Sequence, residues 1–265
     1  MFKLIASMLI SATIIGCGAK GNMNTETINI AGSTAFQPFA EKLAEGFMAN
    51  NPGVRINVQG GGSAVGIQSV QTGVVQIGMA DMVTLPKEAE GLKSIVAARD
   101  ALVIIVHPDN KIDSLSSQQI QDIFSGKLNN WSQIGGEKKS ITVVSREDGS
   151  GTRVSFNDLV LKGVSLGTHA IIQNSTGAVR LMVQNDPSAI GYITHGSLSP
   201  EVKTITIDGI APSPQNIHAG KYSIVRPIFL LTKGEMKGKT SEFIDFILSS
   251  QGQKMLTDDG LLAVK

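Results

Sequence analysis

Short apolar runs alternate with amphipathic stretches along most of the chain. Residues 27–31 (TINIA) read as a first strand, and Phe36, Phe39, Leu43 and Phe47 then recur at helical spacing to residue 49. Asn50-Asn51-Pro52-Gly53 ends that helix. Strands are predicted at 54–58, 74–80, 101–107, 141–145, 189–193 and 224–232, with helices over 63–72, 116–124, 151–162, 176–185 and 241–250 and a further helical stretch after it. Strand and helix in alternation argue for an α/β fold with largely parallel sheets. Two long apolar runs, ALVIIVH (101–107) and IVRPIFLLT (224–232), flank a middle block. That suits a two-lobe protein whose chain crosses and returns, or equally one continuous doubly wound sheet.

The amino end has its own pattern, MFKLIASMLISATIIGC. Lys3 precedes an uncharged, mostly apolar stretch at 4–15, which is shorter than the ~20 residues that span a bilayer. It reads as a secretory signal over 1–16. Its end, Ile14-Ile15-Gly16-Cys17, resembles a bacterial lipobox, which implies cleavage before Cys17 and a diacylglycerol on its sulfur; the plain alternative is a secreted protein with one free thiol. Cys17 is the single cysteine, so no internal disulfide forms. Residues 17–26 read as a flexible tether. The expected location is outside the cytoplasm, held to a membrane by lipid.

Composition narrows the classes. Hydrophobic residues make up 42% of the 265 and charged ones 17%, which excludes a disordered chain. Lys3 is the only charged residue of the leader, so its loss leaves 22 basic residues against 22 acidic. A neutral chain has no nucleic-acid footprint. Glycine is in excess, at 29 residues.

Three loops share one chemistry: AGSTAF (31–36), QGGGSAVG (59–66) and SREDGSGTR (145–153). Each follows a strand, is small and hydroxyl-rich, and opens a helix. Helix starts expose unpaired N–H groups and the positive end of the dipole, so each loop is a candidate anion site as well as a plain cap. In the third, Arg146 offers a planar fork for an oxyanion, Asp148 is placed to hold that guanidinium, and Ser150, Gly151 and Thr152 present donors. Asp81 stands at the carboxyl end of the strand before it (IGMADM, 77–82), where ligands of open α/β sheets gather. An acid beside an anion site suits an anion that carries a proton: hydrogen phosphate can donate to it, whereas sulfate is repelled.

Taken together, AGSTAF, QGGGS, IGMAD and SREDGSGTR, with VHPDN (106–110), IFSGKLNNWSQIGG (123–136), NDPSAIGYI (185–193) and SQGQKML (250–256), resemble the substrate-binding protein of the bacterial phosphate ABC importer, the PstS family. The similarity covers nearly everything after residue 26. It implies a type II periplasmic-binding-protein fold: two α/β lobes, 27–103 plus 226–265 and 104–225, with the ligand cleft between them. By the same resemblance, phosphate is bound by Ser33, Thr34, the Ala35 N–H, Ser63, Asp81, Arg146, Ser150, Gly151 and Thr152, with Asp148 supporting Arg146. Relatives often have a basic residue where Met82-Val83 follow Asp81, which leaves the support of that acid unassigned. A monomer with no cofactor, no metal and no catalytic residue is implied, delivering phosphate to permease subunits in the membrane.

Other readings are a binding protein for sulfate, molybdate or tungstate, or a secreted phosphatase. Against an enzyme, His107, His169, His195 and His218 stand in no metal or triad motif, and GGGSAVG lacks the lysine of a P-loop. Trp131 reads as a packing residue of the second lobe.

Overall fold

The computed structural model describes residues 25–264; the leader, Cys17 and most of the tether lie outside the described residues. The chain runs β1 (Glu26–Gly32), α1 (Gln37–Ala49), β2 (Val54–Gly60), α2 (Ser63–Gln71), β3 (Ile77–Ala80), β4 (Lys93–Val106), β5 (Ser114–Leu115), α3 (Ser117–Ser125), β6 (Thr142–Arg146) and α4 (Gly151–Phe156). It continues through β7 (Ile171–Gln173), α5 (Thr176–Asn185), β8 (Ala189–Thr194), β9 (Lys203–Thr204), β10 (Thr206–Ile207), α6 (Pro214–His218), β11 (Val225–Thr232), α7 (Gly238–Leu248) and α8 (Ser250–Asp258). Glu26, expected in the tether, already pairs with Val54 as the first residue of β1.

One sheet runs through the described residues in the order β2-β1-β3-β11-β4-β8-β6-β7, with β9 also on β4. Its flanks are parallel, as the alternating pattern suggests, but its centre is not: β11 is antiparallel to β3 and β4, and β4 is antiparallel to β8. The reason lies in the path of the chain. β4 carries it outward and β11 brings it back alongside, so the two long apolar runs must point in opposite directions.

β4 is also longer than its apolar run predicts, because its first half, KSIVAARD, carries Arg99 and Asp100. Hydrophobic clusters change over inside it. Ala97 and Ala98 belong to a core with Phe36, Phe39, Leu43, Phe47, Ile228 and Phe243. Ala101, Leu102, Ile104 and Val106 belong to another, with Phe124, Trp131, Phe156 and Tyr192. The molecule is therefore two-lobed even though its sheet is continuous. Trp131 is a packing residue of the second lobe, its indole N–H donating to the Ser188 carbonyl at 3.0 Å. Phe156 stacks flat on Tyr192, with centroids 3.9 Å apart, and Phe124 tilts against both; this fixes the far end of α4.

Parallel strands deliver their carboxyl ends to one cleft, from β1, β2 and β3 on one side and β6 and β7 on the other. On the first side α2 lies very close to the sheet. A Cβ on Gly66 would stand 2.7 Å from the Met79 carbonyl oxygen and 2.8 Å from that of Ala31, and one on Gly78 would stand 2.7 Å from the Gly66 oxygen. Two glycines thus set the depth of α2 and of the Ser63 at its start. Gly66→Ala must push the helix off backbone rather than off a pliable side chain. It should cost about 1–3 kcal/mol in denaturant unfolding, and a variant as stable as the parent would show that the approach is not limiting.

Candidate functional site

Asp81 is held from both sides of the cleft. It follows β3 and is buried. Its Oδ1 accepts from the Ser63 hydroxyl at 2.6 Å, and its own N–H donates back to Ser63 Oγ at 3.2 Å. Its Oδ2 accepts from the Thr152 hydroxyl at 3.1 Å, across the cleft. Gly151 lies so close that a Cβ there would stand 2.3 Å from Ser63 Oγ and 2.6 Å from Asp81 Oδ1. No larger residue fits, which is why glycine opens α4 at this point.

The support that the sequence left unassigned comes from β11. Arg226 is fully buried, 0% exposed; its Nη2 lies 2.6 Å from Asp81 Oδ2 and its Nη1 donates to the Asp81 carbonyl at 3.0 Å. The same guanidinium reaches Asp100 of β4 through Nε at 3.2 Å and Nη2 at 2.9 Å. Thr194, at the end of β8, donates to the other Asp100 oxygen. Burial pushes the Asp100 carboxyl above its ordinary range, and Arg226 and Thr194 pull against that shift. An arginine inside an otherwise apolar strand was a readable signal, since a buried charge needs a partner.

Arg146, at the end of β6, organises a second cluster. It too is buried. Nη2 donates to the Thr34 hydroxyl at 3.1 Å and Nη1 to that of Thr176 at 3.1 Å. The residue that orients it is Glu147, which takes Nε at 2.9 Å and Nη2 at 2.8 Å in a bidentate pair. The expectation for Asp148 is therefore corrected: Asp148 is 93% exposed and pairs instead with Arg153 at 2.9 Å. In the turn after β6 Glu147 faces Arg146 and Asp148 faces outward.

Of the other expected residues, Ser33 is buried and its hydroxyl oxygen accepts from the Ala35 and Phe36 N–H groups at 3.2 and 3.1 Å, so it shapes the turn into α1. Ser150 caps α4, accepting from the Arg153 N–H at 3.3 Å. Ala35 and Thr152 are buried in the same cleft region as their loops. A fourth helix start, not singled out in the sequence, joins them: α5 opens at Thr176, whose N–H donates to Thr34 Oγ1 at 3.3 Å. Bonds between the lobes include Thr34 to Arg146 and to the Thr176 N–H, Asp81 to Thr152, and the Ala64 N–H to the Gly149 carbonyl at 3.1 Å.

Buried donors from several helix starts and one fixed arginine can hold a small oxyanion, and one buried carboxylate can accept a proton from it. Glu147→Gln should weaken oxyanion binding in titration calorimetry by about ten- to a hundredfold, the scale of a lost charged hydrogen-bond pair. Asp148→Asn should leave it nearly unchanged; the reverse ranking would return the orienting role to Asp148.

Residues 18–251 match the PBP superfamily domain. The phosphate-binding protein PstS of Bacillus subtilis is 34% identical over 279 residues, spanning 100% of this chain and 93% of that protein. PstS of Borreliella burgdorferi is 28% identical across 100% of both. A Clostridium perfringens structure, described as a phosphate ABC transporter substrate-binding protein with bound phosphate, superposes with a TM-score of 0.86 at 36% identity, covering 91% of this chain and 100% of that one. An ABC-type phosphate transport receptor from Vibrio cholerae gives a TM-score of 0.73 at 32% identity, over 89% and 99%. With both sequence and fold matched along nearly their whole length, the chain belongs to the PBP superfamily and, within it, to the PstS family of phosphate-binding proteins.

Proposed function

We propose that this protein captures inorganic phosphate between its two lobes and delivers it to the permease of an ABC importer, without catalysing a reaction. The observation that carries this is a buried acid, Asp81, set among buried donors at an anion cleft. Arg146, the N–H groups of the turn from Ala35 into α1 and of the helix starts at Ser63, Gly151 and Thr176, and the Thr34 hydroxyl supply donors, joined by the Ser63 and Thr152 hydroxyls as they turn from Asp81 to the ligand. Asp81 supplies the acceptor that a protonated phosphate satisfies and a fully ionised sulfate does not. Ser33 and Ser150 hold the loops in shape, and Glu147 holds Arg146. Phosphate held by both lobes at once stabilises their closed arrangement, and that closed form is the one presented to the permease.

The protein is read as an extracytoplasmic monomer anchored through lipid on Cys17. This rests on the lipobox-like Ile14-Ile15-Gly16-Cys17 and on the short stretch from Cys17 to the start of β1 at Glu26. No described helix is long and apolar enough to cross a membrane. Cys17→Ser should move the protein from the membrane fraction to the soluble one; retention in the membrane would remove the anchor.

Titration with phosphate and with sulfate tests the ligand. Phosphate should bind far more tightly, and Arg146→Ala should weaken it by about 2–5 kcal/mol through loss of a buried charge partner. Sulfate bound as tightly as phosphate would overturn the role of Asp81 and favour a general oxyanion binder.

A further inference from the structure

Arg226 lies behind the ligand cradle, on the strand that returns the chain from the second lobe. It stands directly opposite Asp100 in the β11–β4 register. The described contacts of its guanidinium are Asp81 and Asp100, so one buried positive charge serves two buried carboxylates. Its grip on Asp81 is two-point: one nitrogen on the side-chain Oδ2 and another on the main-chain carbonyl. That clamp fixes which way the carboxylate faces and leaves Oδ1 on the Ser63 side, toward the helix starts.

We infer that Arg226 is a positioning residue that sets anion specificity: it holds Asp81 as a charged, oriented acceptor, and without it the cleft ceases to discriminate protonated from fully ionised oxyanions. The chemistry follows from charge. Remove the guanidinium, and two carboxylates remain buried close together with no counter-charge. A buried carboxylate stripped of its counter-charge takes up a proton, and where Asp100 remains a second like charge adds to that drive. A protonated Asp81 is a donor, and a donor at that position satisfies sulfate as well as it satisfies phosphate. Arg226 thus touches no ligand but decides whether the residue that does is an acceptor.

This inference rests on the phosphate reading, and the experiment separates the two. Phosphate, arsenate and sulfate are titrated against the parent protein and against Arg226→Gln, Arg226→Lys, Asp100→Asn and the double variant Arg226→Gln with Asp100→Asn, which leaves no repelling pair. Arsenate carries the same proton as phosphate and serves as the control for simple loosening of the cleft. The parent should prefer phosphate and arsenate over sulfate; a parent without that preference defeats the phosphate reading itself. Arg226→Gln and the double variant should lose at least about tenfold of the preference, equivalent to ~1.4 kcal/mol, with phosphate and arsenate still moving together. Arg226→Lys and Asp100→Asn, which keep a positive charge beside Asp81, should retain the preference. A parental preference in either neutralised variant overturns the inference. So does loss of preference in Asp100→Asn, which would place the control on Asp100, and so does an equal weakening of all three anions in the neutralised variants, the sign of a purely structural role.

Discussion

A guanidinium held between two carboxylates, all three sealed from water, is the constraint around which the molecule is arranged. Asp81 follows β3, Arg226 lies in β11 and Asp100 in β4, and the last two are the strands by which the chain crosses between lobes. A buried ion cluster of this kind contributes little to stability for its own sake, since the cost of desolvation offsets most of the attraction. Its geometry, however, is unforgiving: removing the arginine leaves two buried carboxylates with no counter-charge. The crossing strands and the cleft carboxylate Asp81 are therefore tied together by the same contact. Thr194 extends it into the second lobe by donating to Asp100, and Ser155 of α4 reaches the Asp81 carbonyl from that side.

The two sides of the cleft contribute differently. The first lobe supplies the acceptor and a helix start pressed against the sheet through Gly66 and Gly78. The second supplies the cation, Arg146, oriented by Glu147 and bracketed by the hydroxyls of Thr34 and Thr176. Because Thr34 belongs to the first lobe, the arginine bonds across the cleft. On the proposed reading closure and site assembly are one event, since the cation bonds to Thr34 only where the lobes meet.

Much of this was legible in the sequence. The helices with a clean apolar face, such as the one carrying Phe39, Leu43 and Phe47, fall where their spacing puts them. The hydroxyl- and glycine-rich loops were found because helix starts have a recognisable composition. What escaped shares a cause. The first half of β4 was missed because Arg99 and Asp100 break its apolar run, yet Asp100 is buried beside Arg226. Arg226 itself passed as part of an apolar strand. Hydrophobic patterning assumes that charge marks the surface, and it fails where charge is buried for a purpose. Glu147 and Asp148 pose a different difficulty, because the direction of a side chain on a tight turn depends on backbone angles that spacing does not encode. The antiparallel centre of the sheet depends likewise on the return path of the chain, a long-range property that local alternation of strand and helix leaves open.

The continuous sheet also orders the way in which the molecule can be completed. The first lobe begins the chain at β1, but its core includes Ile228 and Leu230 of β11, Phe243, Ile244 and Ile247 of α7, Leu256 of α8 and Leu261 beyond it. The core around Phe124, Phe156 and Tyr192 is drawn from residues that all precede β11, apart from the flanking Val225 and Leu262. A chain emerging from its amino end can therefore close the second lobe while the first still exposes the faces that await its last three elements. The lobe that starts first finishes last, and the buried arginine arrives with the strand that begins to complete it.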